Sequence, residues 1–267
     1  MRIEDKVAVV TGAAVGSGRA IAERLAVEGA AVLLADVEAR EGEETLRRIR
    51  DRGGRAAFRE VDVTDAAEVR AMVDSAVHTF GGVDILVNNA GGGGHIPPHF
   101  PDAAPAQWGA LLDLNLRAPL LATQLVLATM SSRGGGAVVN IGSTAGLGTR
   151  HHPSAEYAAA KAGLIRASTS LVHLERTHSV RVSCVVPDWI ETDRARRELA
   201  AMSPQERAAQ PPLVPLKELC DHVVALITDE TAAGRAVVLD RGVPPRVLAD
   251  DPGQGRGGQE PNPEPSR

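Results

Sequence analysis

Tyr157 is the only tyrosine in the 267-residue chain, and it stands four residues before Lys161 in the alanine-rich stretch YAAAK. In a helix, residues four apart share a face, so the phenol and the ammonium can point into one cleft. A free tyrosine has a pKa of about 10 and is a poor base at neutral pH. Lowering it by about three units takes roughly 4 kcal/mol of preferential phenolate stabilisation. One ammonium at about 4 Å supplies that order of energy at an effective dielectric of about 20. The pair could then act as a general base that removes a hydroxyl proton. The spacing alone is common, and taken alone it is more often structural.

A second stretch has chemistry of a different kind. TGAAVGSG joins an apolar run to an amphipathic one, and Gly12, Gly16 and Gly18 would let the backbone turn tightly beneath a pyrophosphate. Any strand-to-helix turn uses glycine as well. Asp36 ends the next apolar run, at the distance where an acid meets an adenosine ribose. Its carboxylate can accept both ribose hydroxyls and would repel the added phosphate of NADP. No arginine or lysine stands at residue 37 to compensate. Asp36 would also serve as a helix cap, but beside the glycines it reads as a ribose ligand, and the cofactor as NAD rather than NADP.

Elements that could position these groups follow a regular rhythm. KVAVVTG, AAVLLAD, AAFREVDV, VDILVNNAG, GAVVNIGS, VRVSCVVP and RAVVLDRG read as strands, with helical patterns such as GSGRAIAERLAVEG and EAREGEETLRRIRDRGG between most of them. That alternation predicts an α/β fold with a parallel sheet covered by helices on both faces. The stretch ETDRARRELAAMSPQERAAQPPLVP breaks the rhythm and reads as a surface excursion that could act as a lid, at about residues 190–215. Residues 249–267 lack the apolar side chains needed to offset ordering entropy and read as a disordered tail.

Composition narrows the class. A formal charge of −5 gives no electrostatic reason to expect nucleic acid or an anionic membrane as partner. Cys184 and Cys220 lie far apart without CxxC spacing, which points away from zinc and disulfides and towards a reducing cytosol. The N-terminus has charges where a signal peptide needs an apolar segment. APLLATQLVLATM falls short of the roughly 20 residues a membrane-spanning helix needs. The expectation is a soluble cytoplasmic protein.

In order along the chain, TGAAVGSG, DVTD, NNAG, LNL, NIGSTAG and YAAAK resemble the classical short-chain dehydrogenase/reductase family, over roughly residues 3–245. The resemblance implies one Rossmann-type doubly wound domain, residues 1–248, with a seven-stranded mostly parallel sheet. It also implies hydride exchange between NAD(P) and an alcohol or ketone. Ser143 would polarise the substrate oxygen, and Tyr157 would be the acid/base. Lys161 would lower the pKa of Tyr157 and hold the nicotinamide ribose, and Asn115 would keep a proton-relay water. Asp62 would contact adenine, with Val63 beside it. Asn88, Asn89, Ala90 and Gly91 would line the cofactor and brace the central strand, while Ser17, Pro187, Ile190 and Thr192 complete the cofactor site. Thr192 would meet the carboxamide. Taken without the resemblance, Ser143 could cap a turn and Asn115 could satisfy a buried backbone group.

Some residues depart from the family pattern. Asp188 stands in PDWIETD where the family commonly has glycine, which puts the local geometry and Thr192 in question, and Ser17 replaces a branched apolar residue. His95, His99, His151 and His152 lie near the expected pocket, but the prolines within HIPPH argue against a helical metal pair. Arg194, Arg196 and Arg197 could meet an anionic substrate or simply form a solvated helix face. WGALLDLNLRAPLLATQLVLATM has more apolar residues than one buried stripe needs, which fits a homodimer or homotetramer better than an unusually deep monomer core. A catalytically weak dinucleotide-binding regulator of the same fold is the competing reading, with Asp188 its only support. An epimerase or dehydratase is disfavoured by the glycine spacing and the short C-terminal part.

Overall fold

All seven sequence-read strands form, and they lie in one sheet of order β3-β2-β1-β4-β5-β6-β7-β8. The structure is a computed structural model that describes residues 1–148 and 152–248. Strands β1 (Val7–Thr11), β2 (Ala31–Asp36), β3 (Arg55–Glu60), β4 (Ile85–Asn88), β5 (Gly136–Ile141), β6 (Val180–Pro187) and β7 (Ala236–Leu239) are mutually parallel. The expected count of seven is corrected to eight by β8 (Arg246–Val247), a two-residue strand antiparallel to β7. Two exposed residues behind Pro244 and Pro245 have no period from which a strand could be read.

The helices are α1 (Gly16–Val27), α2 (Ala39–Arg50), α3 (Ala66–Phe80), α4 (Pro105–Leu112), α5 (Ala118–Ser132), α6 (Ala155–Ser170), α7 (Leu174–His178), α8 (Asp193–Ala201), α9 (Pro204–Ala208) and α10 (Leu216–Thr228). Successive strand residues point to opposite faces, and the core divides accordingly. Ala8 and Val10 pack with Ile21, Leu25, Leu219 and Val223 on one face. Val9, between them, packs with Met72, Val73, Val126 and Met130 on the other. Both faces are therefore covered, which is why the strands are apolar throughout rather than alternating.

Strand β1 pairs with β2 on one side and β4 on the other. The strand order reverses there, and in such sheets ligands bind beyond the carboxyl ends at this point. Asp84 holds the opposite end: its carboxylate accepts from Val7 N at 2.8 Å and from Arg133 at 2.9 and 2.8 Å. Near the reversal Asn88 Nδ2 donates to Asn140 Oδ1 at 2.8 Å, and Asn140 Nδ2 donates to Ser168 Oγ at 2.9 Å. This buried chain ties β4 to β5 and α6, the bracing expected of Asn88.

Between α4 and α5 the backbone forms a π-helical turn, Asp113–Arg117, and the helical run continues from Pro105 to Ser132. At 28 residues it is long and apolar enough to cross a membrane by length and composition, contrary to the shorter run read from the sequence. Here it packs on the sheet through Ala122, Val126 and Met130. The excursion after β6 is two short helices, α8 and α9, closed at its base. Val214 N donates to Trp189 O at 2.9 Å and Glu191 N to Val214 O at 2.8 Å. The expected tail, residues 249–267, lies outside the described residues.

Candidate active site

The loop between β1 and α1 requires glycine for two physical reasons. Gly12 and Gly16 have φ of +64° and +57°, which side chains rarely tolerate. Gly18 is needed for space, since a Cβ there would stand 1.8 Å from Gly12 O. Asp36 closes the loop from the side: its carboxylate accepts from Ala14 N at 2.8 Å and from Glu38 N at 3.1 Å. Asn89 reaches over from β4 and donates through Nδ2 to Thr11 O and Gly12 O at 3.0 and 3.1 Å. Ser17 Oγ donates to Asn89 Oδ1 at 2.8 Å, so the serine anchors the first turn of α1. Thr11, which the sequence reading did not single out, accepts from Asn89 N and Ala90 N through Oγ1, both at 3.0 Å. Asp62 is exposed and accepts from the Thr64 amide and hydroxyl, while Val63 beside it is buried.

From this loop a cavity of about 500 Å³ runs across the strand ends. Ser17, Asn89 and Gly91 line one part, Ser143, Tyr157 and Lys161 another, and Pro187, Asp188, Ile190, Thr192 and Arg194 a third. Tyr157 and Lys161 reach it from α6, whose first turn is capped by Ser154 accepting from Tyr157 N at 3.2 Å. Gly94 packs against the phenol so closely that a Cβ there would lie 2.6 Å from the ring. The sequence gives no sign of this contact beyond a run of glycines.

Lys161 is buried, and its Nζ donates to Ile141 O at 3.0 Å, 5.7 Å from the centre of the Tyr157 ring. Burial lowers its pKa to about 8. Burial also raises the Tyr157 phenol above its ordinary range, with Ser143 and the charge of Arg194 pulling it partly back. Here the ammonium bonds a carbonyl rather than the phenol, and desolvation disfavours both charges.

Asn115 lies in the π-helical turn and is fully buried. Its Nδ2 donates to Gly92 O at 2.9 Å and Leu111 O at 3.0 Å, and its Oδ1 accepts from Gly92 N at 2.9 Å. Asn115 thus holds the Gly92 backbone through both its N–H and its C=O. A Cβ on Gly91 would meet both Asn115 Oδ1 and Lys161 Nζ, at 2.8 and 3.1 Å, so the two side chains converge there. π-helical turns of this kind concentrate at functional sites.

The Asp188 charge is matched. Arg241, just beyond β7, donates through Nε to Asp188 Oδ2 at 3.3 Å and lies 5.5 Å from the centre of the Trp189 ring. Thr192 caps α8, and its methyl would lie 3.3 Å from a Cβ on Gly16. Only residue types at distant positions could have announced Arg241, since 53 residues separate it from Asp188.

Among the described residues, the histidines have separate partners. His152 lines the cavity beside the Tyr157 ring, with centroids 5.5 Å apart. His99 Nδ1 lies 3.3 Å from the buried Glu156 carboxylate, and His95 lies against Arg194. His151 is outside the described residues.

A dinucleotide loop at the sheet reversal, opening into a Ser-Tyr-Lys cavity, defines a nicotinamide-dependent oxidoreductase of the short-chain type. The family model for short chain dehydrogenase matches residues 6–203, and the chain belongs to that family. It is 35% identical over 248 residues to the cis-4-hydroxycyclohexanecarboxylate dehydrogenase of Sinomonas cyclohexanicum, covering 89% of this chain and 96% of the relative. It is also 35% identical over 239 residues to the 3-oxoacyl-[acyl-carrier-protein] reductase FabG of Escherichia coli (strain K12), covering 87% and 93%. A solved structure from Burkholderia xenovorans, described as a short-chain dehydrogenase/reductase, superposes with a TM-score of 0.81 at 35% identity, covering 90% of this chain and 96% of that one. The first of these relatives is named for a small-molecule substrate, a hydroxycyclohexanecarboxylate.

Proposed function

We propose that the protein is an NAD-dependent oxidoreductase that exchanges hydride between nicotinamide and a secondary alcohol or ketone. The observation that supports it best is one cavity lined by Ser143, Tyr157 and Lys161 and continuous with the glycine loop. The nicotinamide supplies the hydride acceptor or donor and, when oxidised, a positive charge. Ser143 hydrogen-bonds the reacting oxygen, and Tyr157 takes or returns its proton. Lys161 holds the nicotinamide ribose and, as an ammonium, favours the phenolate. Asn115 fixes the Gly92 peptide beside Lys161 and holds the relay water there.

Asp36 supports NAD over NADP. Its carboxylate is fixed by two loop amides, and an added phosphate beside it would meet like charge. The adenine end is completed by Asp62 and Val63, and the nicotinamide end by Pro187, Ile190 and Thr192. Residues 190–215 act as the substrate lid of a domain spanning 1–248. Leu112, Leu116 and Leu120 are only half-buried on the long helical run, which supports a homodimer or homotetramer. The small-molecule alcohol or ketone and further copies of the chain are the proposed partners, in the cytoplasm. The competing reading, a weakly catalytic dinucleotide-binding regulator, loses its one sequence support because Asp188 is paired with Arg241.

The test is NADH formation across a panel of secondary alcohols, with hydroxycyclohexanecarboxylate, suggested by the relative's name, as the first member. Tyr157→Phe is expected to lower kcat by about 100- to 10,000-fold while NAD still binds. NAD binding without turnover of any panel member would favour the regulator.

A further inference from the structure

Arg194, Arg196 and Arg197 are equivalent in the sequence, but folding separates them. Only Arg194 lines the cavity. Arg196 turns to Glu191 at 3.3 Å on the outer surface. Helix α8 explains the difference: Ala195 is buried against the body of the protein, and consecutive residues on a helix point about 100° apart. Thr192, capping this helix, fixes where its first turn begins.

The cavity has a second arginine, and the two differ in how they are occupied. Arg241 is largely buried and already committed to Asp188, Gln210 Oε1 and Pro211 O. Arg194 is half-exposed, and among the described residues its only hydrogen bond goes to His95 Nε2, at 3.5 Å. Its one ion pair, with Glu198 at 3.6 Å, is an exposed i,i+4 contact of the kind that holds a side chain only weakly. It lines the cavity with its side chain about half-exposed, and its charge reaches the Tyr157 phenol. Asp188 would repel an anion there, but Arg241 offsets it. Among the described residues, the mouth is left with one weakly held cation beside the reacting groups.

We infer that the substrate has an anionic group, a carboxylate in the simplest case, and that Arg194 is the residue that reads it. This rests on the oxidoreductase reading above. A guanidinium binds a carboxylate through two parallel hydrogen bonds, which would set the distance from the acid to the reacting carbinol. A phosphate ester offers the same chemistry, and so does the diphosphate of the cofactor, since Thr192, two residues before, touches the glycine loop.

The test compares 3-hydroxybutyrate, its methyl ester and 3-hydroxybutyl phosphate, at saturating NAD, in the wild type, Arg194→Gln, Arg194→Lys and the surface control Arg196→Gln. Binding is followed separately by the rise in Tm that each compound gives with NAD present. Arg194→Gln is expected to lower kcat/KM for the preferred anion about tenfold to a hundredfold, mostly through KM, with the ester and the KM for NAD changing less than about threefold. Arg194→Lys should recover part of the loss, and Arg196→Gln should match the wild type. A preference for the phosphate over the carboxylate would keep the anion and change its identity. Equal use of acid and ester by the wild type would overturn the inference and leave the oxidoreductase standing. Loss of NAD affinity in Arg194→Gln would reassign the arginine to the cofactor. Turnover of neither acid nor ester, without any anion-dependent rise in Tm, would overturn it as well, and failure of the wider alcohol panel would separately remove the oxidoreductase reading.

Discussion

The two ends of the crevice are built by different means. At the glycine loop, backbone geometry does the work: positive φ at Gly12 and Gly16, a Cβ-free approach at Gly18, and a net of short hydrogen bonds through Thr11, Ser17 and Asn89. At the other end, side-chain charge does it, through the Asp188–Arg241 pair, Trp189 beneath Arg241, and Arg194 at the mouth. Backbone-built sites tolerate almost no added atom. Charge-built walls tolerate substitution when the partner changes too. On the proposed function, one end can therefore stay constant around the cofactor while the other is retuned to a substrate.

That contrast gives the strongest prediction at the glycine loop. Gly18→Ala is expected to weaken NAD binding more than about tenfold and to destabilise the fold by about 1–3 kcal/mol, as overpacking does. Calorimetric binding and urea unfolding would read both. A variant that bound NAD normally would mean that Gly12 can move aside and that the loop is not rigid.

A smaller effect is expected at the charged wall, and there it should depend on the partner. Arg241→Gln leaves a half-buried Asp188 unmatched, and kcat/KM should fall about tenfold. Asp188→Asn added to it should restore part of the loss, with a coupling of about 1 kcal/mol between the two sites. Simple additivity would show that the two residues act independently and that the wall is not a compensated pair.

Legibility in the sequence follows the same division. The strands were readable because burial on both faces leaves continuous Val, Ile, Leu and Ala runs, as in VAVVT and AVLLAD. The helical spacing of Tyr157 and Lys161 and the capped start of α6 were readable for the same local reason. Long-range pairings were not. Nothing near Asp188 announces Arg241, and nothing in three arginines on α8 says which one enters the cavity. The π-helical turn at Asn115 was hidden because its residues suit an ordinary helix equally well. One energetic feature was hidden as well: spacing shows where Lys161 sits, but not that burial disfavours both charged forms.

On the proposed mechanism, Tyr157 becomes a base when the nicotinamide joins it. Because it is the only tyrosine, phenolate absorbance titrates it directly, with Tyr157→Phe as the blank. Burial raises this pKa, with Ser143 and Arg194 offsetting only part of the shift, so without NAD the phenolate should form only above the ordinary tyrosine range. With NAD the added positive charge should bring the transition down, well below a pKa of about 10. A transition that stays at or above that value in both states would contradict the account.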